Sequence, residues 1–99
     1  MVNLYLDDVR QCPEGFILVT SYDEFVNFIQ HCEWPNFISF DHDLGLGKTG
    51  FDCAKFLVDY CLDNHLDLPK FVVHSQNPVG KLKIESLLKN FQKFQNFKK

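Results

Sequence analysis

No two cysteines in this chain have the CxxC spacing of a metal or redox motif; Cys12, Cys32, Cys53 and Cys61 are scattered singly. They are expected to be free, mostly buried thiols of a reducing compartment, the last three on helices. No apolar run approaches the length of a membrane span, and no basic segment followed by an apolar stretch opens the sequence, so a soluble, cytoplasmic protein is expected. Basic charge is not in excess either: 10 Lys and Arg against 13 Asp and Glu give a net charge of −3. Without a positive global field, extended nucleic acid is not an expected partner, and any anionic ligand must be drawn by a local feature. Repeats, low-complexity segments, a GxSxG elbow and a Cys/His nucleophile arrangement are all missing. Gly47-Lys48-Thr49 lacks the spacing of a phosphate-binding P-loop, which leaves the glycine-rich segment Gly45 to Gly50 as a pliable loop. Ninety-nine residues suffice for one core and one domain, with no room for a separate substrate domain.

What the sequence does have is three apolar segments that stop abruptly at ionisable groups. They are Leu4-Tyr5-Leu6-Asp7-Asp8, Phe37-Ile38-Ser39-Phe40-Asp41-His42-Asp43 and Phe71-Val72-Val73-His74-Ser75. Each has the form of a buried parallel strand whose C-terminal end reaches a site. Laid side by side, they bring four carboxylates and two imidazoles to one edge of a sheet.

Between them the pattern gives a strand at 16–19 and a helix over roughly 22–32, capped by Ser21 with Glu24 and carrying Phe25, Phe28, Ile29 and Cys32 on one face. A second helix over about 51–63 places Phe51, Ala54, Leu57, Val58 and Cys61 at helical spacing. A third opens at Asn77-Pro78, a capping residue followed by proline at the first helical position, and buries Ile84, Leu87, Leu88 and Phe91. Its end, rich in phenylalanine, amides and lysines, reads as an amphipathic cover for the sheet or as a surface for homodimer formation. The order β-β-α-β-α-β-α specifies an α/β layered fold with four strands. A parallel crossover normally takes a dozen or more residues, and the connector from Asp8 to Phe16 is shorter. Fully extended it still spans about 25 Å, against about 17 Å for a five-residue strand. The strand at 16–19 is therefore expected to run parallel to the first, which keeps Asp7 and Asp41 at the same edge.

These residues resemble the receiver domain of two-component signalling over roughly residues 2–88. The likeness lies in Leu6-Asp7-Asp8 closing the first strand, Asp41 closing the third, Thr49-Gly50 opening a helix and Val72-Val73-His74-Ser75 closing the fourth. It implies a truncated, flavodoxin-like three-layer fold with a mainly parallel four-stranded sheet in the order 2-1-3-4. It also implies that Asp7 and Asp8 form a metal-binding pair, that Asp41 occupies the phosphoacceptor position, and that Ser75 is the hydroxyl touching phosphate. Two receiver features are missing from the pattern: a helix between the first two strands, and a fifth strand with a phosphate-pairing lysine. Instead, His42, Asp43, His74, Asn77 and Gly80 appear in Ser39-Phe40-Asp41-His42-Asp43-Leu44-Gly45 and His74-Ser75-Gln76-Asn77-Pro78-Val79-Gly80. In this the chain resembles the cyclic-phosphate-processing receiver domains, which implies an activity on cyclic phosphodiesters.

The residue chemistry is consistent with that expectation. Asp7, Asp8, Asp41 and Asp43 supply hard oxygen ligands of the kind magnesium or manganese takes. His42 and His74, with Asp41, form the expected catalytic set, because imidazoles titrate near neutrality and can move protons to and from a phosphoester; either could alternatively bind zinc, manganese or iron. Ser75, Asn77, Gly80 and Lys81 gather at a helix start, where free N–H groups favour an anion, and Arg10 completes the expected ligand-binding set. His31 and His65 read as surface groups. The leading expectation is a metal-dependent phosphoesterase acting on a cyclic nucleotide or cyclic phosphate. The alternatives are a non-catalytic module that sequesters such a signal, and a phosphoacceptor receiver using Asp41.

Overall fold

The computed structural model describes residues 1–8, 11–45 and 47–98. Four short strands, β1 (Asn3–Leu6), β2 (Ile17–Val19), β3 (Phe37–Phe40) and β4 (Lys70–Val73), form one sheet in the order β2-β1-β3-β4. Every pairing is parallel: Leu4 lies opposite Ile17 on one side and Ile38 on the other, and Ile38 lies opposite Phe71. The short connector before β2 thus does return the chain to the starting edge. It turns at Pro13 to Phe16, where the Phe16 amide donates to the Pro13 carbonyl and Gly15 takes the positive φ of 86° that a type II turn places at its third residue.

Among the described residues three helices join the sheet: α1 (Tyr22–His31), α2 (Gly50–Asn64) and α3 (Pro78–Lys98). Each begins at a side-chain cap. The Ser21 hydroxyl accepts the Glu24 amide at 3.1 Å, while the Glu24 carboxylate reaches past the cap to the Thr20 amide and hydroxyl, so the expected reciprocal box is displaced by one residue. At α2 the box is complete, with Thr49 and Asp52 exchanging side-chain and backbone hydrogen bonds. At α3 the Asn77 side chain accepts the Gly80 amide, and Pro78 fills the first helical position as expected.

Phe25 and Ile29 of α1, Ala54, Leu57 and Cys61 of α2, and Ile84, Leu88 and Phe91 of α3 share one core with Leu4, Leu6, Ile38, Phe40 and Val73. These sheet residues alternate along their strands and face one side. The crossovers β2-α1-β3 and β3-α2-β4 advance in the same direction across the sheet, and right-handed connections then place both helices on the same face. Tyr22 and Phe56 meet edge to face between α1 and α2. The expected three layers are therefore two. The one connection running the other way, from β1 to β2, has no helix among its described residues, so no described helix covers the second face. That face carries Asn3, Tyr5, Leu18, Phe37, Ser39 and Val72, with Phe16 packed edge-on against Tyr5 and Phe37. Cys53 and Cys61 are buried, whereas Cys12 is half-buried and Cys32, beyond the last turn of α1, is exposed; all four are free. No described helix is long and apolar enough to cross a membrane.

Candidate functional site

The sheet ladder continues one rung past the strands, and that rung carries the chemistry. The Asp7 amide donates to Val19, the Asp41 amide to Leu6 and the His74 amide to Phe40, at 2.8 to 3.1 Å. Three functional side chains from three strands are thus fixed by backbone hydrogen bonds. All three follow the alternation of Tyr5, Ser39 and Val72, so they emerge on the face that no described helix covers. One donor atom from each of Asp7, Asp41 and His74 lies within 4.8 Å of the others. Asp7 is fully buried, and Asp41 and His74 are half-buried. Two carboxylate oxygens and an imidazole nitrogen at such separations suit a divalent cation of the kind the resemblance implies.

His74 is held on several sides. Its Nε2 lies 2.9 Å from Asp7 Oδ2, its Nδ1 lies 2.6 Å from the Ser39 hydroxyl, and its ring lies flat on Tyr5 with centroids 4.4 Å apart. Ser39 and Tyr5 were not anticipated as site residues. The available signal was alternation: a hydroxyl and a phenol stand at every second position before Asp41 and Asp7.

His42 is set differently. Its Nδ1 lies 2.9 Å from Asp43 Oδ1, and no hydrogen bond to Nε2 is found among the described residues. The hydrogen bond with His42 holds the Asp43 carboxyl below its ordinary value, so Asp43 remains an ionised acceptor. Its second partner is the Asn77 amide at 3.4 Å. The His42 ring rests against the first turn of α3 at Gly80, where a Cβ would collide with the ring. Gly50 does the same for the backbone: a Cβ there would collide with the Asp41 carbonyl, and its amide donates to the His42 carbonyl. Glycine at these two positions lets α2 and α3 close on the loop that carries His42.

The remaining expected residues are divided between the site and its rim. Asp8 is exposed and faces Gly45, whose added Cβ would lie 3.2 Å from Asp8 Oδ2. Asp43, also exposed, joins His42 and Asn77 and is outside the three-residue cluster. Ser75 is buried and accepts the Asn77 amide, and the Lys81 amide donates to the Asn77 carbonyl. Together with the Gly80 contact, this commits the Ser75 and Asn77 oxygens to shaping the start of α3. The amides of Asn77, Gly80 and Lys81 already have acceptors there. Lys81 lies half-buried in the first turn of α3. Arg10 lies outside the described residues. His31 and His65 are exposed, as expected.

No curated protein and no solved structure matches the chain significantly. The profile that describes the cyclic-phosphate processing receiver domain matches residues 2–90, which spans all four strands, the Asp7–Asp41–His74 cluster and most of α3. The chain belongs to the family of cyclic-phosphate processing receiver domains.

Proposed function

We propose that this domain is a phosphoesterase that opens a cyclic phosphodiester, in a cyclic nucleotide or a 2′,3′-cyclic phosphate, with the help of a divalent cation such as magnesium or manganese. The observation that carries the reading is the meeting of Asp7, Asp41 and His74 at one edge of the sheet, with His42 following Asp41 in the chain and its ring held by the Asp43 carboxylate. Asp7 and Asp41 would hold the cation, with Asp8 and Asp43 near enough in sequence to take part through water. Bound there, the cation neutralises phosphate charge and favours ionisation of water.

The chain supplies proton transfer. With Asp43 ionised and accepting from Nδ1–H, the lone pair of His42 is on Nε2, the nitrogen left for water. That nitrogen takes the proton of the attacking water as its oxygen forms a bond to phosphorus. The bond from phosphorus to one sugar oxygen breaks, and that oxygen leaves with a proton returned from the imidazolium or from solvent. Incubation with cyclic mono-, di- and oligonucleotides and 2′,3′-cyclic phosphates, each with magnesium, manganese or zinc, should give a linear phosphomonoester from at least one of them. Absence of turnover throughout, or turnover undiminished in both Asp41→Ala and His74→Ala, would overturn the reading.

A sequestering module is the second reading, favoured by the exposure of Asp8, Asp43 and Gly45 around the cluster. A protein that returned unaltered ligand after denaturation would support it over hydrolysis.

A further inference from the structure

The two histidines are not equivalent. A proton shuttle needs a nitrogen that can exchange with water or substrate and a ring that presents it. His42 has this in Nε2. His74 has both nitrogens against protein side chains, Ser39 at 2.6 Å and Asp7 at 2.9 Å, and a ring seated on Tyr5 with 4° between the planes. Asp7 and Ser39 are themselves buried. Turning the ring would break two hydrogen bonds and the stack together.

With Asp7 as the acceptor, Nε2 carries the hydrogen and the Ser39 hydroxyl donates to Nδ1. A serine hydroxyl can also accept. If a cation displaces the Nε2 hydrogen, that proton is lost to solvent, the ring takes one up at Nδ1 in exchange, and Nδ1 donates it to Ser39 Oγ, whose hydroxyl turns from donor to acceptor. A histidine whose second nitrogen donates to a fixed acceptor is the usual form of a metal-ligating imidazole. Resting on the cation-binding part of the function proposed above, we propose that His74 is a metal ligand, that Ser39 is the positioning residue that sets its tautomer, and that the Asp7–Asp41–His74 set binds a first-row transition cation in preference to magnesium. One nitrogen and two carboxylates match the donors accepted by manganese, iron and zinc, whereas magnesium favours oxygen alone.

Manganese(II) alone is the probe, added to the metal-free full chain and followed by electron paramagnetic resonance. The expected result is one bound ion per chain with nitrogen hyperfine coupling from an imidazole, displaced by zinc at far lower concentration than by magnesium. His74→Ala should abolish the coupling, and His42→Ala should keep it. Ser39→Ala should weaken manganese binding about 10-fold, the scale for a lost partner of a ligand, and Ser39→Thr, which keeps the hydroxyl, should restore it. Absence of manganese binding, binding without nitrogen coupling, or displacement by magnesium as readily as by zinc each overturns the proposal. The spectrum of the unsubstituted protein decides this even if a variant does not fold. Coupling without turnover would leave His74 a ligand and remove the phosphoesterase reading; turnover without coupling would do the reverse.

Discussion

At Asp43 a single oxygen decides which nitrogen of His42 is basic. The carboxylate accepts from Nδ1 at 2.9 Å, and its depressed pKa keeps it charged above the ordinary carboxylate range. In Asp43→Asn the amide can donate to Nδ1 instead, which puts the ring hydrogen on Nε2 and removes the base. The expected fall in kcat is about 10²-fold, the lower end of what general base catalysis contributes, with a much smaller loss of manganese affinity, because Asp43 would reach the cation only through water. Equal losses in kcat and in metal affinity would place Asp43 among the ligands instead. The cysteines give a second test at this scale. Burial pushes Cys53 and Cys61 up to about 12, so at pH 8 neither is a thiolate in the folded protein. Alkylation followed by mass spectrometry should label Cys32, more slowly Cys12, and Cys53 and Cys61 only after unfolding. The sequence was informative where a charged group ended a strand, since Asp7, Asp41, His42 and His74 stand out against their apolar neighbours. Ser39 and Tyr5 were hidden because serine and tyrosine are ordinary strand residues; only their register with His74 makes them part of a site.

At the scale of elements, helix starts hold the site in place. α2 begins just after the His42 loop, and its capping box joins Thr49 to Asp52. Thr49→Ala should cost about 1 kcal/mol, as loss of a capping hydroxyl does, and lower the melting temperature by roughly 4–8 °C for a domain of this size. The Thr49 amide lowers the Asp52 pKa from 3.8, so the folded value lies below the unfolded one. The stabilisation from this carboxylate is complete above the unfolded pKa and is lost as pH falls through the folded pKa. Melting curves of wild type and Asp52→Asn should therefore differ at neutral pH and converge only below pH 3.8. Convergence on raising the pH would contradict the assignment. Helix starts were partly legible. Ser21 and Asn77 precede clear apolar periodicity, whereas Thr49 and Asp52, which have the same spacing as Ser21 and Glu24, are set among glycines that favour a loop.

For the whole molecule, the consequential feature is the face that no described helix covers. Uninterrupted apolar strands suggest burial on both sides, and the expectation of three layers follows from that and from the receiver likeness. The alternation was nonetheless present, with Leu4, Leu6, Ile38 and Phe40 on one side and Asn3, Tyr5, Phe37 and Ser39 on the other. Aromatic residues on the second side made the strands look uniformly apolar. Strand order and direction were legible because a connector of that length can reach back along one strand, and only the parallel solution brings Asp7 to Asp41. The two-layer architecture has a measurable signature in stability. Ile38, fully buried beneath the helices, should cost about 2–5 kcal/mol on replacement by alanine. Val72, in the middle of neighbouring β4 but 47% exposed on the other face, should change stability by no more than about 0.5 kcal/mol in Val72→Ala. Urea unfolding of the two variants measures both. If Val72→Ala were to destabilise the protein as much as Ile38→Ala, something would have to bury the second face in solution. The aromatic surface beside His74 would then be an interior, with access to the cation site only from the edge of the sheet.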